Sequence, residues 1–245
     1  MFPDRTFGNY SKSFITDLPA DLESEQARHY RETLTRFPEE AVYIYSFKEN
    51  RMVYADGWDE ILGYKDEEVS MMTIVNITSP EYAPFSHELN DKALMFIQSR
   101  TEDLEKYSFT IELKKIHKHG HDVPLIVKVG VFSSEGGKMT AIIGRSQVNR
   151  SLKLGSVMRY DAYGPDKSKF EEELNKQLFR HYAISGKEKE ALAMVAKGYS
   201  LKEIAYEFNV SLSAIEKRIF PMYKRFDVKN LSHLVSFAYD NHILP

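Results

Sequence analysis

The sequence predicts an α+β protein in two parts: a five-stranded antiparallel sheet with accompanying helices, then a four-helix unit at the C-terminus. Two patterns predict it. Apolar residues alternate with polar ones from Tyr107 to Leu113 and from Leu125 to Val131, the period of half-buried strands. From Ser185 onward the apolar spacing becomes helical, and Ser-x-x-Glu boxes mark the helix starts. A chain of 245 residues also has the length for two domains. The changes of texture set the expected boundaries: residues 1–36 as an N-terminal helical extension, 37–150 as the sheet domain, 151–182 as linker and connector helix, and 183–245 as the four-helix unit.

In chain order, Asp21–Arg36 reads as a charged helix with the sparse apolar residues Leu22, Tyr30 and Leu34, stopped by Pro38. Ala41–Phe47 and Arg51–Ala55 are short runs of β-branched and aromatic residues around a Lys48-Glu49-Asn50 turn. Trp58, Ile61 and Leu62 stand at helical spacing before Gly63, and Asp91–Ser99 reads as a second helix with Ala93, Leu94, Phe96 and Ile97 on its apolar side. Three longer strands follow in meander, with turns at His119-Gly120-His121 and Ser133–Gly137 and a last strand over Lys138–Gln147. The layout predicts helices on one sheet face. Ser151–Ser168, with Gly155, Gly164 and Pro165, reads as the linker, and Lys169–Tyr182 as a helix. Its stripe of Phe170, Leu174 and Leu178 is too narrow for a core. Together with Leu22 and Leu34 it is expected either to serve a homodimer seam or to pack back on its own chain.

The C-terminal unit is punctuated most clearly. Ser185-x-x-Glu188 opens a helix burying Leu192, Val195 and Ala196, closed by Gly198. Ser200-x-x-Glu203 opens a short helix with Leu201, Ile204, Ala205 and Phe208 inside. Asn209-Val210 makes a tight turn, Ser211 caps a third helix burying Leu212, Ile215, Ile219, Met222 and Phe226, and Asn230 caps a fourth. A short helix, a tight turn and a longer helix make a helix-turn-helix, whose second helix enters the DNA major groove.

Composition narrows the function. The chain has no Cys, which excludes disulfides, cysteine-centred zinc sites, thiol nucleophiles and cysteinyl chromophore attachment. No P-loop, nucleophile elbow or metal-ligand spacing occurs, so no catalytic residue and no metal ligand is assigned, and an enzyme is not expected. No apolar run approaches a membrane span or a signal peptide, so a cytoplasmic protein without membrane attachment is expected. The net charge of −3 is uneven: residues 184–245 carry nine Lys/Arg against seven Asp/Glu, and the rest is acidic. A weakly basic module on an acidic body is compatible with DNA binding.

Residues 184–228, ISGKEKEALAMVAKGYSLKEIAYEFNVSLSAIEKRIFPMYKRFDV, resemble the LuxR/GerE C-terminal domain, with Lys187–Leu192, Gly198, Ser200, Lys202–Ala205, Ser211, Ile215, Arg225, Phe226 and Val228 in register. The resemblance implies that double-stranded DNA is the partner. Phosphate contacts are expected from Lys202, Lys224 and Ser211, and base-edge contacts from Ser213 and Lys217 on the face opposite the buried stripe. Three positions depart from the family: Glu216 stands for its Lys, Arg218 for its His and Pro221 for its Asn. Glu216 and Arg218 join the expected DNA-facing set. Ser213-x-x-Glu216 is itself a capping-box pattern that moves the helix start to Ser213, and Pro221 predicts a kink near Phe220.

Residues 37–150 resemble a PAS domain in the order of strand pair, small helices around Gly63-Tyr64, a Pro80-Glu81 step, a helix and three strands. That family encloses small ligands or mediates dimerisation, which implies a cavity here lined by Tyr43, Tyr45, Phe109 and Ile111. No cofactor is identifiable. Flavin photochemistry and cinnamoyl chromophores need a Cys, and haem would need His87 as its axial ligand. His117, His119 and His121 read as a solvated turn, since no carboxylate or Cys completes a metal site. The expectation is a DNA-binding transcriptional regulator: a PAS domain sensing a small molecule or partner, and a LuxR-type domain binding DNA as a homodimer. The second reading is a protein-interaction module with a degenerate helix-turn-helix.

Overall fold

The computed structural model describes residues 15–151, 154, 157–178, 183–241, 243 and 244. Residues 1–14 of the expected extension, Gly155 of the linker and the last turn of the connector helix, 179–182, lie outside the described residues.

The first helix, α1 (Glu25–Thr33), is shorter than its charged stretch, because Ser24 caps it and accepts from the Ala27 amide at 3.2 Å. β1 (Glu40–Ser46) and β2 (Arg51–Asp56) form an antiparallel hairpin. α2 (Trp58–Leu62), α3 (Met71–Asn76) and α4 (Ala83–Gln98) then pass over one sheet face. α4 starts well before Asp91, with Pro84 in its first turn, where a missing amide costs nothing. β3 (Ser108–Ile116), β4 (Asp122–Glu135) and β5 (Lys138–Val148) make the meander, in which Phe109, Ile111, Leu113, Leu125, Val127, Val129 and Val131 are buried as the alternation predicts.

The sheet has seven strands rather than five, in the order β2-β1-β5-β4-β3-β6-β7. The first five are the expected antiparallel set, with the helices inserted between β2 and β3 as in a PAS domain. The added strands come from the stretch expected as linker. β6 (Met158–Tyr163) pairs antiparallel with β3, and β7 (Ala183–Ser185) pairs parallel with β6. Between them α5 (Lys167–Leu178) returns over the sheet. Flanking Gly and Pro hide β6 in the sequence, and β7 has only three residues.

The α5 stripe is no dimer seam. Phe170, Leu174 and Leu178 are buried in the same core as Phe109 and Ile111, and the Phe170 ring stacks on Phe96 with centroids 4.5 Å apart. A stripe too narrow to build a core alone completes one that α4 and β6 have begun. The α1 seam is also occupied. Leu22, Tyr30 and Leu34 pack on Val42, Ile44, Val53 and Tyr54, the outer sheet face. Helices therefore cover both faces at the β1–β2 end, which is why β1 is buried along its whole length.

α6 (Gly186–Ala196), α7 (Leu201–Glu207), α8 (Leu212–Arg225) and α9 (Leu231–Asp240) build the C-terminal domain around Leu192, Ile204, Ile215, Ile219, Met222, Phe226 and Leu234. Both capping boxes are closed: the Ser185 amide donates to Glu188 at 2.9 Å, and the Ser200 amide to Glu203 at 2.8 Å. Asn209 takes the left-handed turn at φ 49°. No described helix is long and apolar enough to cross a membrane.

Candidate functional site

α8 begins at Ser211, whose hydroxyl accepts from the Ala214 amide at 3.2 Å. The alternative start at Ser213 is therefore not used. The helix continues through Pro221 to Arg225. Pro221 is exposed, so its ring meets no core, and it offers no amide to the Lys217 carbonyl.

At roughly 3.6 residues per turn, the rows along α8 have separate surroundings. Ile215, Ile219 and Met222 are buried, and the opposite row is Ser213, Lys217, Phe220 and Lys224, all exposed. This outward row holds the expected base-contacting residues, Ser213 and Lys217, and one expected phosphate contact. It also holds Phe220, 47% exposed and outside the expected DNA-facing set. A ring there presents an apolar edge of the kind that meets a thymine methyl. The helical period marks it: Phe220 is three residues after Lys217 and off the buried stripe. Lys202 is exposed on α7. Glu216 is half-buried on one flank of the row. Arg218, on the other flank, lies over the Phe208 ring at 5.8 Å, which directs its guanidinium toward α7.

That second flank faces the sheet domain. Ala214, Lys217, Arg218, Pro221 and Arg225 share a groove of about 480 Å³ with Ser168, Glu171 and Glu172 of α5. Beside it the domains are fastened. Lys187 pairs with Glu171 at 2.9 Å and donates to the Ser168 hydroxyl at 3.1 Å. The Arg225 side chain, 7% exposed, pairs with that of Glu188, 4% exposed, at 3.0 Å and donates to the Ala183 carbonyl at 2.8 Å. Burial pushes the Glu171 and Asp161 carboxyls up, against the pull of the neighbouring lysines. A Cβ at Gly186 would lie 2.2 Å from the Asp161 carboxylate, so only glycine lets α6 start against β6.

The sheet domain encloses a cavity of about 50 Å³ between the sheet and α3–α4. Tyr43, Phe109 and Ile111 line it, with Met71, Ile74, Val75 and Leu94. Burial pushes the Tyr43 phenol up. Tyr45 is fully buried away from the cavity wall, its hydroxyl accepting from the Thr16 amide at 2.8 Å. His87 stands on the wall, but the space is far too small for a haem. The rings of His117 and His121 stack at 4.3 Å in the β3–β4 turn, and among the described residues no group of His, Asp or Glu is arranged to hold a metal. The residue missed by the sequence reading is Lys115, on the wall and 3% exposed. Its signal is parity: it follows Phe109, Ile111 and Leu113 on the inward side of β3.

The fold and site define a PAS-type sheet domain joined to a helix-turn-helix domain. Residues 183–238 match the family of bacterial regulatory proteins, luxR family, so the C-terminal domain is of LuxR type. No curated protein matches the chain. Similar solved structures include VqmA bound to DPO, 14% identical, covering 90% of this chain and 88% of that one with a TM-score of 0.36. The Vibrio cholerae VqmA dimer in the absence of target DNA is 15% identical, with coverage of 90% and 89% and a TM-score of 0.34. The PAS domain of a Colwellia psychrerythraea protein is 13% identical, with coverage of 51% and 98% and a TM-score of 0.39.

Proposed function

We propose that this protein regulates transcription: its LuxR-type domain binds double-stranded DNA as a homodimer, and its PAS-type domain senses a small molecule or a partner. The observation that carries the reading is the outward row of α8. Ser213, Lys217, Phe220 and Lys224 stand exposed on one side of a capped helix in a domain matching a DNA-binding family. Ser211 and the first amides of α8 supply a phosphate site at its N-terminus. Lys202 and Lys224 contact phosphate, and Ser213 and Lys217 reach base edges, with Glu216 and Arg218 flanking them. Coupling runs through β6, β7 and the Lys187–Glu171 pair, since β7 leads directly into the Ser185 cap of α6. A change in the sheet domain that moves β6 moves the recognition helix with it.

Fluorescence anisotropy with fragments of the source genome, over a salt series, tests the reading. Lys202→Ala should weaken binding to all sequences and flatten the salt slope by about one unit. Lys217→Ala should relax sequence preference instead. A second reading, a protein-interaction surface, is favoured by Tyr206 at 85% and Phe220 at 47% exposure. It becomes the better one if no fragment binds at low salt. Sedimentation with and without DNA measures the dimer.

A further inference from the structure

We propose that the cavity of the sheet domain holds a small anion, a carboxylate or similarly acidic oxygen group, with the Lys115 ammonium as its counter-charge; the proposal rests on the sensor reading of that domain. Lys115 is 3% exposed, on the inward side of β3, and its side chain forms part of the cavity wall. Its Nζ donates to the Ile74 carbonyl at 2.6 Å and to the Thr78 hydroxyl at 3.0 Å. Both acceptors are neutral, and an ammonium has three N–H donors. One donor therefore has no acceptor among these contacts. Among the described residues no carboxylate forms an ion pair with Lys115, and burial lowers the basicity of its amine.

An unpaired buried cation is costly, and the cost falls sharply when an anion lies against it. The rest of the wall suits such a guest. Met71, Ile74, Val75 and Leu94 supply an apolar shell, while Ser86 and Asn90 of α4 place polar atoms on it. A volume of about 50 Å³ has room for roughly four water-sized groups, which limits the guest to a few heavy atoms. Helix capping does not exhaust the role of Lys115. The Ile74 carbonyl belongs to the last turn of α3, where a cation is favourable, but that contact uses one donor of three.

The test uses the full-length chain with sodium formate, acetate and propionate, and with propionamide as a neutral match in size. Thermal unfolding is followed at constant ionic strength. The carboxylates should raise Tm in a dose-dependent way, by about 4 °C at ten times their Kd, and propionamide should not. Lys115→Met should abolish the carboxylate effect. Should that variant fail to fold, wild-type protein with labelled lysine serves instead: propionate should shift the Lys115 Cε resonance and raise its titration midpoint, and propionamide should leave both in place. Equal effects of propionate and propionamide overturn the proposal, as does a carboxylate effect that survives in Lys115→Met. So does an indifferent Tm with all four probes, which would leave Lys115 as a cap of α3 only. DNA affinity measured with and without propionate separates the two readings. Propionate that binds without changing DNA affinity leaves the anion site standing and removes the sensor role.

Discussion

Lys115 and Arg225 are both buried cations, and their surroundings lead to opposite predictions. Arg225 has Glu188 at 3.0 Å and donates from Nη1 to the Ala183 carbonyl at 2.8 Å, so its charge is neutralised. Arg225→Met leaves the Glu188 carboxylate buried without its partner, and we expect a loss of about 3–5 kcal/mol in urea unfolding. The loss should be smaller when Glu188→Gln is added. Lys115 lacks such a partner, and burial pushes its amine down to about 7. Between about pH 7 and the ordinary lysine range, the unfolded chain binds a proton that the folded chain does not. Folding stability therefore rises with pH across that window and is flat below it. In parallel melts from pH 6 to 10, wild type should gain stability relative to Lys115→Met as pH increases. A constant difference would mean that Lys115 titrates normally.

At the scale of elements, α8 combines a strong start with a weak middle. Ser211→Ala removes the cap and should cost about 1 kcal/mol by chemical denaturation. Pro221→Ala restores the amide for the Lys217 carbonyl and should stabilise the helix by up to about 3 kcal/mol, since Pro221 is exposed and packs no core. The same change tests whether the family departure matters for DNA: a straighter helix with unchanged affinity confines reading to the turns before Phe220. Glu216 lies on the flank away from α5, half-buried beside the outward row. A carboxylate near phosphates is repelled, so Glu216→Lys should tighten non-specific binding several-fold at low salt and little at high salt. Anisotropy titrations at two salt concentrations measure both.

For the whole molecule, the seam between the domains replaces the expected seam between chains. Leu174 is fully buried in the sheet-domain core, so Leu174→Glu puts a charge among apolar side chains. It should lower Tm steeply or abolish cooperative unfolding in circular dichroism, rather than merely separating protomers. A variant that melts normally but sediments at half the mass would restore the dimer seam. The Lys187–Glu171 pair ties α6 to α5, and the groove beside it bounds one flank of the recognition helix. Lys187→Met should loosen that tie, increase the radius measured by small-angle scattering and change DNA affinity. A compact variant with wild-type affinity would show that the remaining contacts, β7 pairing among them, hold the domains together without it.

The sequence by itself determined the elements whose signals are local. Caps and helical period placed α6 to α9, because the side chain of a Ser or Asn cap satisfies an amide within the first turn, joined in α6 and α7 by a Glu carboxylate reaching back. Alternation placed β3, β4 and β5, because side chains on a strand change face at every residue. Tertiary structure alone decided what depends on distant partners. Residues 158–163 and 183–185 are strands because β3 leaves an edge to which β6 adds, and β6 leaves one to β7. The stripe of α5 faces its own core because Phe96 of α4 stands opposite Phe170. Tyr43 and Tyr45 have the same parity, yet only Tyr43 reaches the cavity, since Thr16 takes the Tyr45 hydroxyl. The outward row of α8 was written in its period. The neighbour on its flank, α5, was not, because a helix carries no record of which surface it will be packed beside.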